Sequence, residues 1–333
     1  MEQEIITIIG AGNWGTTLAL YIDSLKRSVR LFEPVDRNRN SILKHRENKT
    51  YLPGHPLPWS IELPESINQA LQGAEYIFIV IPSDFFYPLT DKISELWNPH
   101  QKIVNFTKGL DEKLKTGLST RLFNLFDPDN VAVISGPTIA REIIKGLPAT
   151  TVVASVNQKL AEKIQQLLSS EQFRVYTSAD VVGVELGGAL KNIIALAGGI
   201  VEGLGLGNNA KAAVITRGLM EMTRMGEVLG ANRETFSGLS GMGDLITTSF
   251  SKFSRNRTLG ERLARGESLE EIKLDMVEVA EGVRTAILAK SIAREKNVEM
   301  PITEVIVDIL QGTLTPEQGV KKLMERSLKP EIW

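Results

Sequence analysis

The most apolar long stretch of the sequence, residues 187–207, contains a lysine that could act as an acid–base group. On a helix this residue, Lys191, shares its face with one large neighbour, Ile194, and with four small ones: Gly187, Gly188, Ala195 and Gly198. Such a face lets another backbone or a ligand approach closely, and it keeps water from the amine. Desolvation lowers the pKa of a lysine amine and makes it a usable base. A helix lysine that simply extends to solvent is the commoner case, but the small residues here favour proton transfer.

A lone acid, Asp244, lies in the glycine-rich apolar segment Gly241-Met-Gly-Asp-Leu245. Burying a carboxylate is costly unless a charged or hydrogen-bonding group compensates it. We therefore expect Asp244 to pair with a cation or a hydroxyl group.

Polar residues follow two predicted strands, at the edge of the sheet where ligands bind. Lys108 follows the fourth strand in Asn105-Phe-Thr-Lys-Gly109, and Ser135-Gly-Pro-Thr138 follows the fifth. In open α/β sheets, ligands bind beyond the carboxyl ends of the strands. Either segment could be only a turn, but two of them at one edge favour a functional role.

The segment Ser254-Arg-Asn-Arg257 has the composition of an anion site. It precedes a predicted helix, Thr258–Ala264, which Ser254 could cap. Arg255 could then bind an anion in a bidentate manner beside the positive end of that helix. The alternative is a capped surface helix with two exposed arginines, which would contribute little.

Several other chemistries are disfavoured by the residue types. The sequence has no cysteine, which excludes disulfides, thiolate metal sites and oxidation through a thiohemiacetal. Its three histidines, His45, His55 and His100, lie in polar or proline-containing surroundings typical of solvated side chains. A hydroxy-acid dehydrogenase with a catalytic histidine is therefore disfavoured, and we predict no metal site.

A glycine motif predicts a dinucleotide site near the N-terminus. Gly10-Ala-Gly-Asn-Trp-Gly15 directly follows the predicted strand Ile5–Ile9 and precedes the predicted helix Thr16–Leu25. In this context Gly10 suits a tight turn, Gly12 the approach of a pyrophosphate, and Gly15 close packing of helix on strand. The helix N-terminus then offers N–H groups to the phosphates.

An acidic residue follows the second predicted strand, 18 residues beyond Gly15. A carboxylate at this distance, here Glu33, is expected to accept hydrogen bonds from the adenosine ribose. It would also repel a 2′-phosphate, which favours NAD over NADP. A solvated loop carboxylate is the alternative, and Arg37 or Arg39 could still contact a phosphate, so use of NADP stays open.

The order of elements predicts an α/β fold with two domains. Alternating strands and helices indicate a Rossmann-type, mostly parallel sheet at residues 1–180, followed by an all-helical domain at residues 181–333. The predicted strands are Ile5–Ile9, Val29–Phe32, Tyr76–Ile81, Lys102–Phe106, Val131–Ile134, Thr151–Ala154 and Phe173–Tyr176. Helices are predicted between the last two of them, at Gln158–Leu168, and at Arg284–Lys296.

Composition is ordinary for a globular protein: 333 residues, 42% of them hydrophobic and 23% charged, with a formal charge of −2. Nucleic acids and anionic membranes favour proteins with an excess of basic residues. This sequence has no such excess, so neither is expected as a partner. The apolar stretch at residues 187–207 carries Lys191 and Glu202, so we expect a buried helix and no membrane insertion. The acidic N-terminus does not resemble a signal peptide, and the absence of cysteine suits a cytoplasmic protein.

Taken together, these segments resemble the NAD(P)-dependent glycerol-3-phosphate dehydrogenases over nearly the full length. Single segments recur in other dehydrogenases, whereas their joint order and spacing do not. The matching segments are Gly10–Gly15, Tyr51-Leu-Pro-Gly54, Ile81-Pro-Ser83, Thr107-Lys-Gly109, Ser135-Gly-Pro-Thr-Ile-Ala-Arg-Glu142, Glu185–Asn192, Gly241-Met-Gly-Asp-Leu245, Ser254-Arg-Asn256 and Val279-Ala-Glu-Gly282.

The resemblance implies a role for each matching residue. Lys191 would be the proton acceptor, with Lys108 and Asp244 completing a polar catalytic centre. Substrate contacts would be Lys108, Gly136, Thr138, Lys191, Asn192, Asp244, Ser254, Arg255 and Asn256. Cofactor contacts would be Asn13, Trp14, Phe85, Lys108, Ala140, Arg255, Val279 and Glu281, in addition to Gly10, Gly12, Gly15 and Glu33.

The resemblance further implies a cytoplasmic homodimer that interconverts dihydroxyacetone phosphate and sn-glycerol 3-phosphate for glycerophospholipid synthesis. One departure agrees with NAD use: Glu33-Pro34 stands where bacterial members often carry a basic residue. Two alternatives remain at this point. One is another Rossmann and helical dehydrogenase, of the 6-phosphogluconate or β-hydroxyacid type. The other is a non-catalytic NAD sensor, which the presence of Lys108, Lys191 and Asp244 disfavours.

Overall fold

The computed structural model describes residues 4–276 and 280–331. The chain divides into two compact units, Met1–Glu185 and Leu186–Trp333. The first unit is built around a mostly parallel sheet. The described residues of the second unit form helices and no strand. The predicted fold class is therefore confirmed.

One eight-stranded sheet organises the first unit. Its strands lie in the order β10-β9-β8-β5-β4-β1-β2-β3, and every neighbouring pair is parallel except β8 and β9. A separate antiparallel hairpin consists of β6 and β7. The strands are β1 (Ile5–Ile9), β2 (Ser28–Phe32), β3 (Ile61–Glu62), β4 (Tyr76–Ile79), β5 (Lys102–Asn105), β6 (Leu110–Asp111), β7 (Thr116–Gly117), β8 (Val131–Ser135), β9 (Ala149–Ala154) and β10 (Phe173–Ser178).

Helices cover both faces of this sheet because successive strand residues point to opposite sides. Ile8 and Phe78 pack in one apolar cluster with α1 and α7, whereas Ile9 and Ile77 pack in another with α3 and α4. The helices of the first unit are α1 (Asn13–Ser24), α2 (Asp36–His45), α3 (Ile67–Leu71), α4 (Phe86–Leu96), α5 (Ser119–Leu125), α6 (Ala140–Ile143) and α7 (Gln158–Leu168). This arrangement leaves the carboxyl edge of the strands to the connecting loops.

The second unit consists of helices and short helical turns. Its first helix, α8 (Val181–Gly203), begins before the division between the units, which falls after Glu185. The others are α9 (Gly207–Val228), α10 (Asp244–Phe250), α11 (Arg255–Ala264), α12 (Leu269–Asp275), α13 (Gly282–Glu295), α14 (Pro301–Leu310) and α15 (Pro316–Met324). A π-helical turn, Leu239–Gly243, leads directly into α10.

The structure differs from the sequence prediction at several element ends. All seven predicted strands occur, with ends shifted by no more than two residues, but the two-residue strands β3, β6 and β7 were not predicted. The helix predicted at Thr258–Ala264 begins three residues earlier, at Arg255. Polar residues at a helix start look like loop residues in a sequence, although Ser254 caps this end by accepting a hydrogen bond from Arg257 N at 3.2 Å.

Helix α8 is long and apolar enough to cross a membrane by length and composition alone. Its most apolar window is nevertheless fully buried inside the protein, as the sequence predicted. Close packing against α11 explains part of this burial: a Cβ on Gly199 would lie 2.0 Å from Arg257 O, and one on Gly260 would lie 2.1 Å from Leu196 O. The two helices therefore meet backbone to backbone.

A buried glutamate, Glu221, holds the start of α14. Its carboxylate accepts hydrogen bonds from the backbone N–H groups of Ile302 and Thr303, and from the Thr303 hydroxyl at 3.0 Å. Burial raises the pKa of Glu221 from 4.5 to about 7, against the opposing effect of these hydrogen bonds and of Arg224. Because the folded pKa exceeds the unfolded one, this group stabilises the fold below about pH 4.5, and the contribution is lost as the pH rises through about 7.

We expect Glu221→Gln to weaken the pH dependence of stability. An amide mimics the protonated acid and does not titrate, so the variant should lack a decrease of about 2 kcal/mol between pH 5 and pH 8 that Glu221 contributes to the native protein. Urea unfolding at both pH values measures this difference. Glu227→Gln, on the same helix but exposed, is the matched control and should keep the native pH dependence. Identical pH profiles for Glu221→Gln and the native protein would contradict the prediction.

Candidate functional site

The glycine motif forms the turn between β1 and α1 as the dinucleotide fold requires. Gly10 has φ +109°, and a Cβ there would lie 2.2 Å from Val80 O. A Cβ on Gly15 would lie 1.9 Å from Gly10 O, so the helix packs tightly on its own turn. By contrast, a Cβ on Gly12 would meet no described atom within 4 Å. The turn is thus tightly packed at Gly10 and Gly15, whereas space remains beside Gly12.

The start of α1 offers further groups that fit a dinucleotide. No side chain caps this helix end at Gly12, so its first N–H groups can bind an anion. Asn13 Oδ1 is buried and accepts no hydrogen bond from the described residues. Trp14 is half-buried, and its ring lies 6.3 Å from that of Phe106. An open glycine, an uncapped helix and an unsatisfied amide oxygen all suit a bound pyrophosphate and ribose.

Glu33 is a buried part of this site and not a solvated loop carboxylate. Its Oε2 accepts hydrogen bonds from Ala11 N at 3.0 Å and from Asn38 Nδ2 at 3.1 Å, and its Oε1 accepts one from Val35 N at 2.9 Å. The carboxylate therefore ties the end of β2 to the glycine turn. A carboxylate has about four acceptor positions, so these three bonds leave Glu33 able to accept one more.

The two arginines near Glu33 differ in their contacts. Arg39 forms an ion pair with Asp36 at 2.6 Å and donates a hydrogen bond to Glu33 O at 3.0 Å. Its guanidinium also lies 5.5 Å from the centre of the Phe32 ring. Arg37 is exposed. Arg39 would have to break these contacts to bind a 2′-phosphate.

At the carboxyl edge of the sheet, Lys108 is half-buried within a tightly held segment. Thr107 Oγ1 donates to Ile81 O at 2.9 Å, and Thr107 N donates to Asn105 Oδ1. A Cβ on Gly109 would lie 2.8 Å from Ser83 Cβ. Thr107 and Gly109, on either side of Lys108, thus both contact neighbouring loops. These contacts fix the backbone of Lys108.

Two buried acids anchor the β6–β7 hairpin that follows Lys108. Asp111 accepts hydrogen bonds from the Tyr87 hydroxyl at 2.8 and 2.9 Å. Glu185 accepts from Ser119 N at 2.9 Å and from Ser119 Oγ at 2.6 Å. Burial, with the Asp111 charge as a smaller cause, raises the pKa of Glu185 to about 7 despite these bonds. Sequence analysis placed Glu185 in a matching segment but assigned no role to its side chain.

The amine of Lys191 lies in a buried polar centre of the second unit. It contacts Asp244 Oδ1 at 3.1 Å and Thr248 Oγ1 at 2.6 Å. Thr248 Oγ1 in turn lies 3.1 Å from Asp244 Oδ1. Only 8% of the Lys191 side chain and 4% of the Asp244 side chain are exposed. The structure thus brings together two predicted site residues, and gives Asp244 both a cation and a hydroxyl as neighbours.

Two helices position this centre. Lys191 lies in the middle of α8, whereas Asp244 is the first residue of α10 and Thr248 lies one turn further along that helix. The π-helical turn before α10 approaches α8 closely, because a Cβ on Gly187 would lie 2.7 Å from Ser240 O. The small residues near Lys191 therefore admit another backbone. Thr248 was not predicted as a site residue, although its i, i+4 spacing from Asp244 on a helix was a usable signal.

A chain of hydrogen bonds connects Asn192, Asn256 and the start of α13. Asn256 Oδ1 accepts from Gly282 N at 2.9 Å, and Asn256 Nδ2 donates to Asn192 Oδ1 at 2.9 Å. Both asparagines are buried. A Cβ on Gly282 would lie 2.7 Å from Asn256 Oδ1, so no larger residue fits at that position.

The two arginines of the anion segment have different environments. Arg255 is exposed and is the first residue of α11. Arg257 is buried, and it contacts Glu202 at 2.8 Å and Glu261 at 2.6 Å. The alternative of a surface helix with two exposed arginines is therefore wrong for Arg257. Only Arg255 combines exposure with a helix N-terminus.

The remaining predicted residues are spread over several elements. Phe85 is exposed on a short helical turn after β4, and Ala140 is the first residue of α6. Thr138 Oγ1 donates to Gly136 O at 3.2 Å. Glu281 immediately precedes α13. Val279, a predicted cofactor contact, lies outside the described residues.

Sequence comparison accounts for both units. Residues 5–161 match the N-terminal domain of the NAD-dependent glycerol-3-phosphate dehydrogenases, and residues 180–321 match their C-terminal domain. The chain belongs to this family. Its segments Gly10–Gly15 and Ser254-Arg-Asn256 both fall within the matched ranges.

Individual relatives match over almost the whole chain. A glycerol-3-phosphate dehydrogenase [NAD(P)+] of an Exiguobacterium species is 42% identical over 330 residues, covering 98% of this chain and 97% of the relative. That of Geobacter sulfurreducens is 41% identical, covering 99% and 100%. The crystal structure of glycerol-3-phosphate dehydrogenase from Coxiella burnetii superposes with a TM-score of 0.93 at 36% identity, covering 97% of this chain and 99% of that one. The 6-phosphogluconate or β-hydroxyacid alternative is not favoured by these matches.

Proposed function

We propose that this glycerol-3-phosphate dehydrogenase family member reduces dihydroxyacetone phosphate reversibly to sn-glycerol 3-phosphate with a nicotinamide dinucleotide. The observation that carries the proposal is the buried contact of Lys191 with Asp244 and Thr248. A ketone reduction needs one proton at the carbonyl oxygen, and a positioned amine can deliver it. Membership of the family supplies the identity of the substrate.

Lys191 is the acid–base group of the proposed mechanism. The bound dinucleotide supplies the hydride that the C2 carbon receives. Lys191 Nζ donates a proton to the C2 oxygen during reduction, and in the reverse direction it takes the hydroxyl proton. Asp244 and Thr248 hold the amine in place, and the Asp244 carboxylate balances its charge. Because these groups are buried, their electrostatic effect on the reacting oxygen is larger than it would be in water.

Arg255 and the N-terminus of α11 bind the substrate phosphate in this proposal. The guanidinium can form two parallel hydrogen bonds to a phosphate, and the helix end contributes partial positive charge. Ser254 already caps this helix, so it fixes the geometry of the phosphate site. Thr258 lies a full turn inside α11 and takes no part. The helix end of this proposal is therefore at Arg255 and not at Thr258, where it was predicted.

Each unit supplies most of the proposed contacts to one ligand. The first, predicted as residues 1–180, supplies most of the proposed cofactor contacts, and the second, predicted as residues 181–333, supplies most of the proposed substrate contacts. Lys108, Gly136 and Thr138 of the first unit are proposed to contact the substrate. The proposed cofactor contacts are Gly10, Gly12, Asn13, Trp14, Gly15, Glu33, Phe85, Lys108, Ala140, Arg255, Val279 and Glu281.

The proposed activity has a direct test. Purified protein should oxidise NADH when dihydroxyacetone phosphate is added, and β-hydroxyacids or 6-phosphogluconate should not reduce NAD. Absence of NADH oxidation with dihydroxyacetone phosphate would contradict the proposed function. A protein that binds NADH but turns over none of these substrates would instead behave as a sensor.

Glu33 sets a preference for NADH over NADPH in the proposed enzyme. The carboxylate lies where the adenosine ribose is expected, and like charges brought together cost several kcal/mol. We therefore expect kcat/KM to be at least about tenfold higher with NADH, and Glu33→Gln to narrow the difference about tenfold. Rates of dihydroxyacetone phosphate reduction, measured in parallel with NADH and with NADPH, give the ratio of the two kcat/KM values.

The substitution at Glu33 removes a charge with little change in side-chain shape, and the first unit also offers a control carboxylate. The amide of Glu33→Gln keeps the side-chain shape, and its oxygen can still accept from Ala11 N and Asn38 Nδ2, although its NH2 group replaces the acceptor of Val35 N. Glu62→Gln removes an exposed carboxylate of the same unit, which pairs with Arg30, and should leave the ratio unchanged. Equal native rates with NADH and NADPH would show that Glu33 does not select the cofactor.

We also infer a homodimeric, cytoplasmic enzyme that supplies glycerol 3-phosphate to glycerophospholipid synthesis. The inference rests on the family resemblance, on the lack of cysteine and on burial of the one long apolar helix. Analytical ultracentrifugation of the purified chain tests the dimer, and cell fractionation tests the location.

A further inference from the structure

We propose that Asn48 is a positioning residue of the dinucleotide site, which holds the backbone N–H of Gly12 in the orientation that binds the cofactor pyrophosphate. Asn48 is fully buried and lies in the loop between α2 and β3. It belongs neither to the glycine motif nor to the segments that match the family. The inference rests on the proposed function, because it concerns the proposed dinucleotide site.

Two groups of fixed polarity set the orientation of the Asn48 amide. Ala11 O can only accept, so the atom that faces it at 2.5 Å must be Asn48 Nδ2. Tyr51 N can only donate, so the atom that faces it at 3.2 Å must be Asn48 Oδ1. Nδ2 also donates to Thr16 Oγ1 at 2.8 Å, which uses its second N–H. Asn48 therefore has no donor left for a ligand and can act only through its neighbours.

The hydrogen bond to Ala11 O determines which way the next N–H group points. In a trans peptide the C=O and the N–H lie in one plane and point in opposite directions, and no described peptide bond is cis. Because Ala11 O faces Asn48, the N–H of Gly12 faces away from Asn48. Gly12 N donates no hydrogen bond to any described residue, and a Cβ on Gly12 would meet no described atom within 4 Å. This N–H is therefore available to an anion beside the start of α1.

The peptide between Ala11 and Gly12 is held at two points. Ala11 N donates to Glu33 Oε2 at 3.0 Å, while Ala11 O accepts from Asn48. Glycine gives its backbone more freedom than other residues do, so the peptide could rotate without these bonds. A peptide that is already oriented does not have to be ordered when the ligand binds, which favours affinity. Of the two side chains, only Glu33 has an acceptor position left for the ligand.

Asn48→Ala should weaken the binding of NADH and of ADP-ribose about tenfold each, because both ligands contain the pyrophosphate that Gly12 N would bind. Adenosine has no phosphate, so its affinity should stay native. In turnover, KM for NADH should rise about tenfold while kcat stays near the native value. Calorimetric titration measures the Kd of NADH and ADP-ribose, and competition with NADH measures that of adenosine. An unchanged Kd for ADP-ribose, or an equal loss for adenosine, would overturn the proposal.

A matched pair of substitutions on α1 tests the same contact without altering the loop. Thr16 and Thr17 are both fully buried, but Thr16 Oγ1 accepts from Asn48, whereas Thr17 Oγ1 has no partner among the described residues. Thr16→Val should weaken ADP-ribose binding about threefold, because the Asn48 amide loses one of its anchors. Thr17→Val makes the same change of shape and should keep native affinity. Equal affinities in the two variants would overturn the proposal even if Asn48→Ala does not fold.

The native protein separates this inference from the proposed function. Native protein that binds neither NADH nor ADP-ribose would overturn the dinucleotide site and the role of Asn48 together. Native binding of both ligands with no loss in Asn48→Ala would overturn the role of Asn48 alone.

Discussion

Lys191→Ala should lower kcat for dihydroxyacetone phosphate reduction by roughly 10²–10⁴-fold, the usual contribution of a positioned acid–base group. The physical reason is that the amine is the proposed proton donor and is held by Asp244 and Thr248. Because Lys191 is not one of the proposed cofactor contacts, NADH affinity should be retained. Steady-state kinetics and NADH fluorescence titration measure the two effects.

The expected loss has to be separated from loss of stability. Removing one partner of a buried ion pair leaves the other charge unpaired, at a typical cost of about 3–5 kcal/mol. Combining Lys191→Ala with Asp244→Asn removes that charge, so the double variant should regain stability without regaining activity. Lys290→Ala is the matched control, since it removes a largely buried lysine that pairs with Asp308 at 2.6 Å. Near-native turnover of Lys191→Ala would remove this lysine from the mechanism.

Arg255→Ala should raise the KM for dihydroxyacetone phosphate by roughly 10- to 100-fold, because a charge-assisted hydrogen bond to phosphate is lost. The effect on kcat should be smaller, since the phosphate is remote from the reacting carbon. Arg255→Lys should recover part of the affinity, because an ammonium keeps the charge but not the bidentate geometry.

An arginine at the opposite end of α11 provides the control for this experiment. Arg265 is exposed and follows the last residue of α11, so Arg265→Ala removes the same charge from the opposite end. Its KM should stay near the native value. An unchanged KM in Arg255→Ala would place the phosphate site elsewhere.

Much of the fold could be predicted because local patterns determine it. Apolar runs such as Tyr76–Ile79 are buried strands, and the glycine motif requires the turn that Gly10 forms. The two-residue strands were missed because a pairing such as Ile61 with Val29 leaves no periodic pattern. The early start of α11 was missed because its first turn consists of polar residues, whose helical state depends on the Ser254 cap.

The site was predicted where chemistry is visible in one segment, and missed where it depends on distant contacts. Lys191 and Asp244 stood out because each is a charge among apolar and glycine residues. The contact of Asn256 with Gly282 joins positions 26 residues apart, and no local pattern shows it. Glu33 was expected to bind a ribose, but its bond to Ala11 N depends on the folded turn.

The backbone contact of α8 with α11 has a consequence for substrate length. Lys191 belongs to one of these helices and Arg255 to the other, so the close contact at Gly199 and Gly260 fixes the separation of the proposed proton donor from the proposed phosphate contact. The packing of the two helices therefore fixes the distance that a substrate must span between its reacting carbon and its phosphate ester. We expect a ketose phosphate longer by one carbon to reach only one of the two contacts in the correct position.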